Sequence, residues 1–308
     1  MSKNILVAIL LAFLCVSCGD GKKDNDLNDE QKIKNTDKFF TIGSLAKSNR
    51  QDERNFQPLA RYIAAKLFPE EDINGRIIVA DNFDELTKLI NNGEIDLYID
   101  SPYPMFKLKE KTDLKIILAH NREGIKDYHS VLLSSTKNNI KSLNDLKDRV
   151  IAFDSPFSTT GYFIPKVELL ERGFKLVELD NLDNPVPAGS IGYIFTYSDD
   201  NTLLWILKDK TAAGATDNLS YQKLPQEYFT KYNVLLESEP IPRQIVAVRN
   251  EIPVDREKRL IEILCQFHTT AEGKDMMSPA GSAPLFEKLD FNVNNLEGKF
   301  KKLMEKTK

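Results

Sequence analysis

A run of hydroxyl side chains before a glycine is the part of this sequence best suited to chemistry. Ser158, Thr159 and Thr160 precede Gly161. The apolar residues before them predict a short buried strand, and the periodic run after them predicts a helix that ends at Gly173. Hydroxyls at such a junction lie where a helix presents unpaired N–H groups and the positive end of its dipole. The junction is therefore a candidate site for a phosphate-like or carboxylate anion.

The same hydroxyls have a simpler interpretation as a helix cap. One Ser or Thr often only caps a helix, with its side-chain oxygen accepting a backbone N–H. A cap needs one hydroxyl, so three hydroxyls before a glycine favour a ligand. Pro165 is tolerated only near the first turn, and the sequence therefore predicts that the helix begins just after the hydroxyls.

The N-terminus has the pattern of an export signal. Lys3 precedes an unbroken apolar run over residues 5–16, which is shorter than the roughly 20 residues of a membrane-spanning helix. Ser17 then stands directly before Cys18. A small residue before a cysteine is typical of a bacterial lipoprotein signal, so we expect a signal peptide at 1–17 and a lipid on Cys18. Plain secretion with an unmodified cysteine is the alternative.

The segment after the signal, residues 18–38, is predicted to be a flexible tether. It is almost wholly polar and charged, so it cannot form a core, and its typical reach is about 25 Å. The whole chain has a formal net charge of −4, with acids and bases interspersed and no basic stripe, which argues against a nucleic-acid partner. Cys265 is the cysteine left after processing, so no intramolecular disulfide is expected.

From Phe39 onward, strand-like and helix-like stretches alternate. The predicted helices are 58–68, 83–93, 142–148, 201–209 and 255–270, and the predicted strands are 39–44, 76–80, 95–100, 114–120, 130–135, 149–154, 193–197, 212–217, 233–238 and 245–250. This rhythm predicts a mainly parallel α/β architecture, with ligands near the carboxyl ends of strands.

Several segments together resemble the extracytoplasmic solute-binding proteins of phosphonate, phosphite and phosphate ABC transporters. The phosphonate-binding family has a strand, an S-T-S-G-Y turn and a helix with an early proline, which reads here SPFSTTGYFIP, with Thr160 in place of the second Ser. The stretch NFDELTKLINNGEIDLYIDSPYPMF resembles its helix, strand and aromatic-bearing loop, and KTAAGATDN resembles its strand ending in Asp. The resemblance covers most of residues 39–291.

The resemblance implies a two-lobed periplasmic-binding-protein-like (type II) fold with two crossovers between the lobes. Lobe one would comprise 39–124 with 240–308, and lobe two would comprise 125–239. The ligand would lie in the cleft between them, which closes by a hinge.

The resemblance also implies roles for particular residues. Ser158, Thr159 and Thr160 would hold the oxyanion through hydroxyls and backbone N–H groups. Tyr103, in the loop after strand 95–100, would face them from the other lobe; the alternative is a half-buried structural tyrosine. Asp217 would help to recognise the ligand; the alternative is a strand-end turn or helix cap.

One loop departs from the family pattern. Many members carry a histidine before the helix that corresponds to 201–209, where this chain has YSDDNT. Asp199 or Asp200 would then stand close to the cleft. Because a carboxylate repels a dianion, an aminated ligand or a different protonation state of the oxyanion is a plausible expectation.

The leading functional prediction is a lipid-anchored receptor of the cell envelope that delivers a small phosphorus oxyanion to an ABC permease and its ATPase. No cofactor, metal or enzymatic activity is expected, because His120, His129 and His268 lack metal-ligand spacing and no nucleophile motif occurs. A sensory or adaptor lipoprotein of the same fold is one alternative, which neighbouring genes would separate. A binding protein for an organic ligand, such as an alkylsulfonate or a thiamine precursor, is another.

Overall fold

The computed structural model describes residues 39–46, 51–275 and 285–307, without the side chains of 51–55. The predicted signal peptide at 1–17, Cys18 and the predicted tether at 18–38 lie outside the described residues. Within the described ranges, no helix combines the length and the apolar character that a membrane crossing requires.

Two six-stranded sheets and a two-stranded ribbon form the framework. The strands are β1 (Phe39–Leu45), β2 (Asn74–Ala80), β3 (Leu97–Asp100), β4 (Leu114–Asn121), β5 (Asp127–Tyr128), β6 (Ser130–Ser135), β7 (Val150–Phe153), β8 (Lys175–Glu178), β9 (Ser190–Phe195), β10 (Ala213–Asp217), β11 (Tyr232–Glu237), β12 (Ile241–Pro242), β13 (Gln244–Arg249) and β14 (Leu285–Glu287). The first sheet has the order β14-β4-β13-β3-β1-β2, and the second has the order β11-β6-β10-β7-β9-β8.

Helices cover both sheets. They are α1 (Gln51–Leu67), α2 (Phe83–Asn91), α3 (Pro102–Lys109), α4 (Ile164–Glu171), α5 (Asp199–Leu207), α6 (Asn218–Gln222), α7 (Gln226–Phe229), α8 (Val254–Gln266), α9 (Ala271–Asp275) and α10 (Val293–Glu305). We call the first sheet with its helices lobe one and the second sheet with its helices lobe two.

Each sheet is buried on both faces because its strands alternate apolar side chains between two cores. In β3, Leu97 packs with the residues of α1 and α8, whereas Tyr98 packs with those of α2, α3 and α10. In β6, Leu132 packs beside Ile151 of β7, whereas Leu133 packs under α5. Successive side chains of a strand point to opposite faces, so every helix has an apolar surface to cover.

The sheets are mixed, so the prediction of a mainly parallel architecture was wrong. The strand that follows each passage between the lobes runs antiparallel to its neighbours: β6 pairs antiparallel with β10 and β11, and β13 with β3 and β4. The passages themselves lie side by side, because β5 and β12 pair as an antiparallel ribbon. The chain reaches β6 and β13 directly from the other lobe and not through a helix that covers the same sheet. The right-handed crossover that makes strands parallel therefore does not apply to these two strands.

Two local predictions also need correction. Helix α1 begins at Gln51 rather than at 58, with Pro58 inside it; burial of Leu59 and Ile63 outweighs the lost backbone hydrogen bond. The predicted loop that carries Tyr103 is the first turn of α3. Pro102 occupies the first position of that helix, where its missing N–H costs nothing.

Candidate functional site

The hydroxyl turn starts a helix at the carboxyl end of β7. The Ser158 side chain caps the helix by accepting the Gly161 N–H at 2.9 Å. The first turn is wide, because the Phe163 N–H donates to the Ser158 carbonyl at 3.0 Å, five residues back. Thr159 and Thr160 therefore lie inside the first helical turn. The prediction that the helix begins only after the three hydroxyls was wrong.

Gly161 is required by close approach to β7 and its extension. A Cβ at this position would lie 2.6 Å from the Asp154 Cβ and 2.9 Å from the Ser158 Oγ, which are closer than non-bonded atoms can come. The Asp154 N–H also donates to the Gly161 carbonyl at 3.0 Å. The turn therefore packs directly against the carboxyl end of β7.

The turn presents donors in a buried setting. Thr159 and Thr160 are 1% and 3% exposed, and the Ser130 hydroxyl fixes the turn by donating to the Thr160 carbonyl at 2.6 Å. A helix leaves its first N–H groups without partners inside the helix, and the positive end of its dipole lies there. The geometry suits an oxyanion.

Tyr103 of lobe one meets the turn through its backbone. Its N–H donates to the Thr159 Oγ1 at 3.0 Å, and this oxygen in turn donates to the Ser101 Oγ at 2.8 Å. The Tyr103 ring stacks on Phe163, with ring centroids 4.1 Å apart and planes at 4°. Burial raises the pKa of the Tyr103 hydroxyl above its ordinary value, so the phenol stays protonated.

Asp217 caps the short helix α6. Its Oδ1 accepts the N–H groups of Leu219 and Ser220 at 2.8 and 2.9 Å, and its Oδ2 accepts the Ser220 hydroxyl at 2.9 Å. These hydrogen bonds are the ones expected if Asp217 is a helix cap, which was the alternative to a role in ligand recognition. Asp217 ends β10, which pairs with β7, so its charge still reaches the site: it adds to the effect of burial in raising the pKa of Tyr128.

Two further carboxyl groups lie near Asp217 in lobe two. Burial raises the pKa of Asp154 to about 6, against an opposing hydrogen bond from Ser158 and with a further rise from Asp217. Burial and then the charges of Asp154 and Asp217 raise the pKa of Asp199 well above its usual range. The Thr216 hydroxyl donates to the Asp199 Oδ1 at 2.5 Å. Of the two residues expected near the cleft, Asp199 is turned inward, whereas Asp200 is exposed.

Arg243 brings a cation to the same region from the end of β12. Its guanidinium lies 5.9 Å from the Tyr128 ring centroid. Burial and the neighbouring Arg122 lower the pKa of this group, and the charge of Asp217 opposes that shift. The Nη1 atom is buried without a hydrogen-bond partner among the described residues.

In the part of the chain that the structure describes, no three His, Cys, Asp or Glu side chains are placed to hold a metal ion. His120 packs against Phe286, with ring centroids 4.4 Å apart, and its Nδ1 lies 2.7 Å from the Gln244 Oε1. Burial lowers its pKa to about 3, so it is a neutral core residue.

Sequence reasoning missed Ser101, Asp154 and Arg243. Ser101 and Asp154 directly follow β3 and β7, and the carboxyl ends of parallel strands are where ligand sites form. That signal was present in the sequence. Arg243 had no such signal, because only the pairing of β5 with β12 brings it to the cleft.

Comparison with known proteins identifies the family of this chain. A family model described as "ABC transporter, phosphonate, periplasmic substrate-binding protein" matches residues 42–290. The chain belongs to this family. The resemblance seen over most of residues 39–291 is thereby confirmed, and members of the family are substrate-binding proteins of ABC importers.

Solved structures confirm the two-lobed type II binding-protein fold of this phosphonate-binding family member. A Xanthomonas citri protein solved bound to ATP matches with a TM-score of 0.77 at 20% identity, over 88% of this chain and 100% of that one. A phosphonate-binding protein of Prochlorococcus marinus in complex with methylphosphonate matches with a TM-score of 0.67 at 14% identity, over 88% and 98%. A Pseudomonas aeruginosa phosphonate-transporter component has a TM-score of 0.61 at 14% identity, over 87% and 94%.

Proposed function

We propose that this protein captures a small phosphorus oxyanion between its lobes and delivers it to an ABC permease and its ATPase. The observation that carries the proposal is the buried turn at 158–160, which begins a helix on lobe two and faces Ser101 and Tyr103 of lobe one. A helix N-terminus with hydroxyl side chains offers both donors and a favourable dipole to an oxyanion.

The proposed site combines the donors of the turn with nearby acids. Ser158, Thr159 and Thr160 contribute the turn, Tyr103 closes it from lobe one, and Asp217 contributes an acid at the end of β10. Asp154, which lies against the turn, and Asp199 add two more carboxyl groups. Asp217 repels a dianion, and an ammonium group would stabilise the charged forms of Asp154 and Asp199, whose pKa values are raised by burial. We therefore propose a ligand that carries an amino group beside its phosphorus oxyanion.

A ligand panel tests this proposal by thermal shift and calorimetry. We expect 2-aminoethylphosphonate to bind more tightly than methylphosphonate, phosphite or phosphate, since it alone places an ammonium near Asp199 and Asp217. A ligand at 100 times its dissociation constant should raise the unfolding free energy by about 2.7 kcal/mol.

The matched control for the panel is 2-aminoethanesulfonate, which keeps the amine and replaces the phosphorus oxyanion. ATP forms a second arm because a structural relative was solved with it, and its polyphosphate is expected to be repelled by the acids. If the sulfonate or ATP binds more tightly than 2-aminoethylphosphonate, the proposed ligand class is wrong and the tighter ligand takes its place. If no compound stabilises the protein, the proposal of a phosphorus oxyanion ligand is abandoned.

We propose that the ribbon of β5 and β12 is the hinge of the cleft. The lobe boundaries predicted at 124/125 and 239/240 fall next to this ribbon. Rotation of two α/β lobes about short connecting segments is the usual mode of closure around a ligand.

We also propose that Cys18 anchors the protein in the cell envelope, facing the exterior or the periplasm. Cys18→Ala is expected to move the protein from the membrane fraction to the soluble one, or to leave its signal uncleaved. One acyl chain binds a membrane only marginally, so a stable anchor requires several chains on one cysteine. Cys265→Ala is the control and should fractionate as the wild type does. Retention of the Cys18 variant after an alkaline wash would mean a different anchor.

A further inference from the structure

Helix α3 of lobe one does not cap itself. It begins at Pro102, and the preceding Ser101 makes no side-chain capping bond. The N–H groups of a first helical turn need an acceptor from outside the helix. The Tyr103 N–H finds one on lobe two, at the Thr159 Oγ1, 3.0 Å away. Thr159 therefore caps a helix that belongs to the opposite lobe.

A carboxylate of lobe one fixes the direction of the adjoining hydrogen bonds. The Tyr98 hydroxyl donates to the Asp100 Oδ2 at 2.6 Å, and the Ser101 hydroxyl donates to the Asp100 Oδ1 at 3.1 Å. Both oxygens of the Asp100 carboxyl accept in these bonds, and a serine hydroxyl has one proton. The Ser101 Oγ must then accept the proton of Thr159 over their 2.8 Å separation. The Thr159 hydroxyl has no second proton to offer an oxyanion.

We propose that Asp100 and Ser101 are positioning residues of the cleft, which hold Thr159 as a closing contact between the lobes. The oxyanion is then left to the backbone N–H groups of the turn, because the Thr160 side chain also hydrogen-bonds Tyr128. Only the ligand-binding consequence of this inference rests on the proposed function. The hydrogen-bonded chain from Tyr98 to Thr159 stands on the contacts themselves.

The surroundings of this contact favour a strong effect. Thr159 is 1% exposed, and beside it the rings of Tyr103 and Phe163 stack across the lobes at 4.1 Å. Phe83 of lobe one meets Phe157 of lobe two edge to face, with centroids 5.2 Å apart. Hydrogen bonds in such a buried interface are electrostatically stronger than in water, and an unpaired donor there is costly.

Hydrogen exchange measured by mass spectrometry on the full chain, with no ligand added, tests the contact. Thr159→Val keeps the shape of the side chain and removes both hydrogen bonds, so exchange in the first turn of α3 is expected to speed up about tenfold. Ser101→Ala should speed it up less. The double variant should match Thr159→Val alone, because the two residues form one unit. Thr159→Ser should restore protection.

Ser130→Ala is the matched control. It removes the bond to the Thr160 carbonyl of the same turn and leaves both hydrogen bonds of the Thr159 side chain in place, so the first turn of α3 should exchange as in the wild type. Unchanged exchange in Thr159→Val, or additive effects of the two single changes, would overturn the proposal.

Calorimetry with 2-aminoethylphosphonate gives a separate reading. Ser101→Ala and Thr159→Val are both expected to weaken binding severalfold, and the double variant no further than Thr159→Val. A loss of a hundredfold or more in Thr159→Val with no loss in Ser101→Ala would make Thr159 a direct ligand contact and overturn the inference. If the wild type binds none of the panel, the proposed function fails, whereas the exchange result still decides the closing contact.

Discussion

Phe163→Ala is expected to lower the free energy of unfolding by about 3–5 kcal/mol, the usual cost of removing a buried phenyl ring. Phe163 belongs to lobe two and is 1% exposed. It lies between two rings of lobe one, stacked on Tyr103 at 4.1 Å and near Phe300 of α10 at 5.9 Å. The truncation therefore removes core volume and the main aromatic contact between the lobes together.

Two probes distinguish these consequences in one denaturation experiment. Trp205 is the single tryptophan of the chain and lies in α5 of lobe two, so its fluorescence follows that lobe, whereas circular dichroism follows both. In the wild type the two transitions should coincide, as expected for a cooperative unit. In Phe163→Ala they should separate, because the lobes lose their shared core.

Phe286→Ala is the matched control for this prediction. Phe286 is also 1% exposed, but it packs within lobe one beside His120 and Phe267. Its truncation should cost a similar free energy and leave the contact between the lobes in place. A loss below about 1 kcal/mol in Phe163→Ala, which is roughly the value of one buried methylene, would mean that the ring does not join the lobes.

Apolar periodicity was enough to find most of the elements that build the two sheets. The apolar run of β6 was visible in the sequence because this strand is buried on both faces, and the amphipathic pattern of α8 was visible because this helix buries one face. The direction of β6 and β13 was not visible, since it depends on the chain crossing between lobes. Helix α10 was overlooked, although Leu296, Phe300 and Met304 recur at helical spacing.

The candidate site was predictable only where it is local in sequence. The turn at 158–160 combines a strand end, hydroxyls and a glycine within one short segment, and the structure places these residues together. Asp100 ends a strand and Ser101 follows it, but the contact of Ser101 with Thr159 joins residues 58 positions apart. Such a contact is fixed by the packing of one lobe on the other, which no local pattern encodes.

Gly161→Ala is expected to weaken oxyanion binding by at least tenfold and to lower stability by about 1–3 kcal/mol, the usual cost of overpacking. The new Cβ would lie 2.6 Å from the Asp154 Cβ, an atom attached directly to the backbone that cannot rotate away. The turn must shift outward by several tenths of an ångström, which carries the first N–H groups of the helix with it. Binding depends on aligned donors, and hydrogen bonds weaken steeply as their geometry degrades.

Gly298→Ala is the matched control for this change. Gly298 lies inside α10 with nothing within 4 Å of the added Cβ, so alanine should stabilise the helix by about 0.5–1 kcal/mol and leave affinity unchanged. Calorimetric titration and thermal denaturation on both variants give the comparison. If Gly161→Ala loses stability but keeps its affinity within about twofold, roughly 0.4 kcal/mol, the oxyanion binds elsewhere than at the turn, because a displaced turn cannot present the same donors.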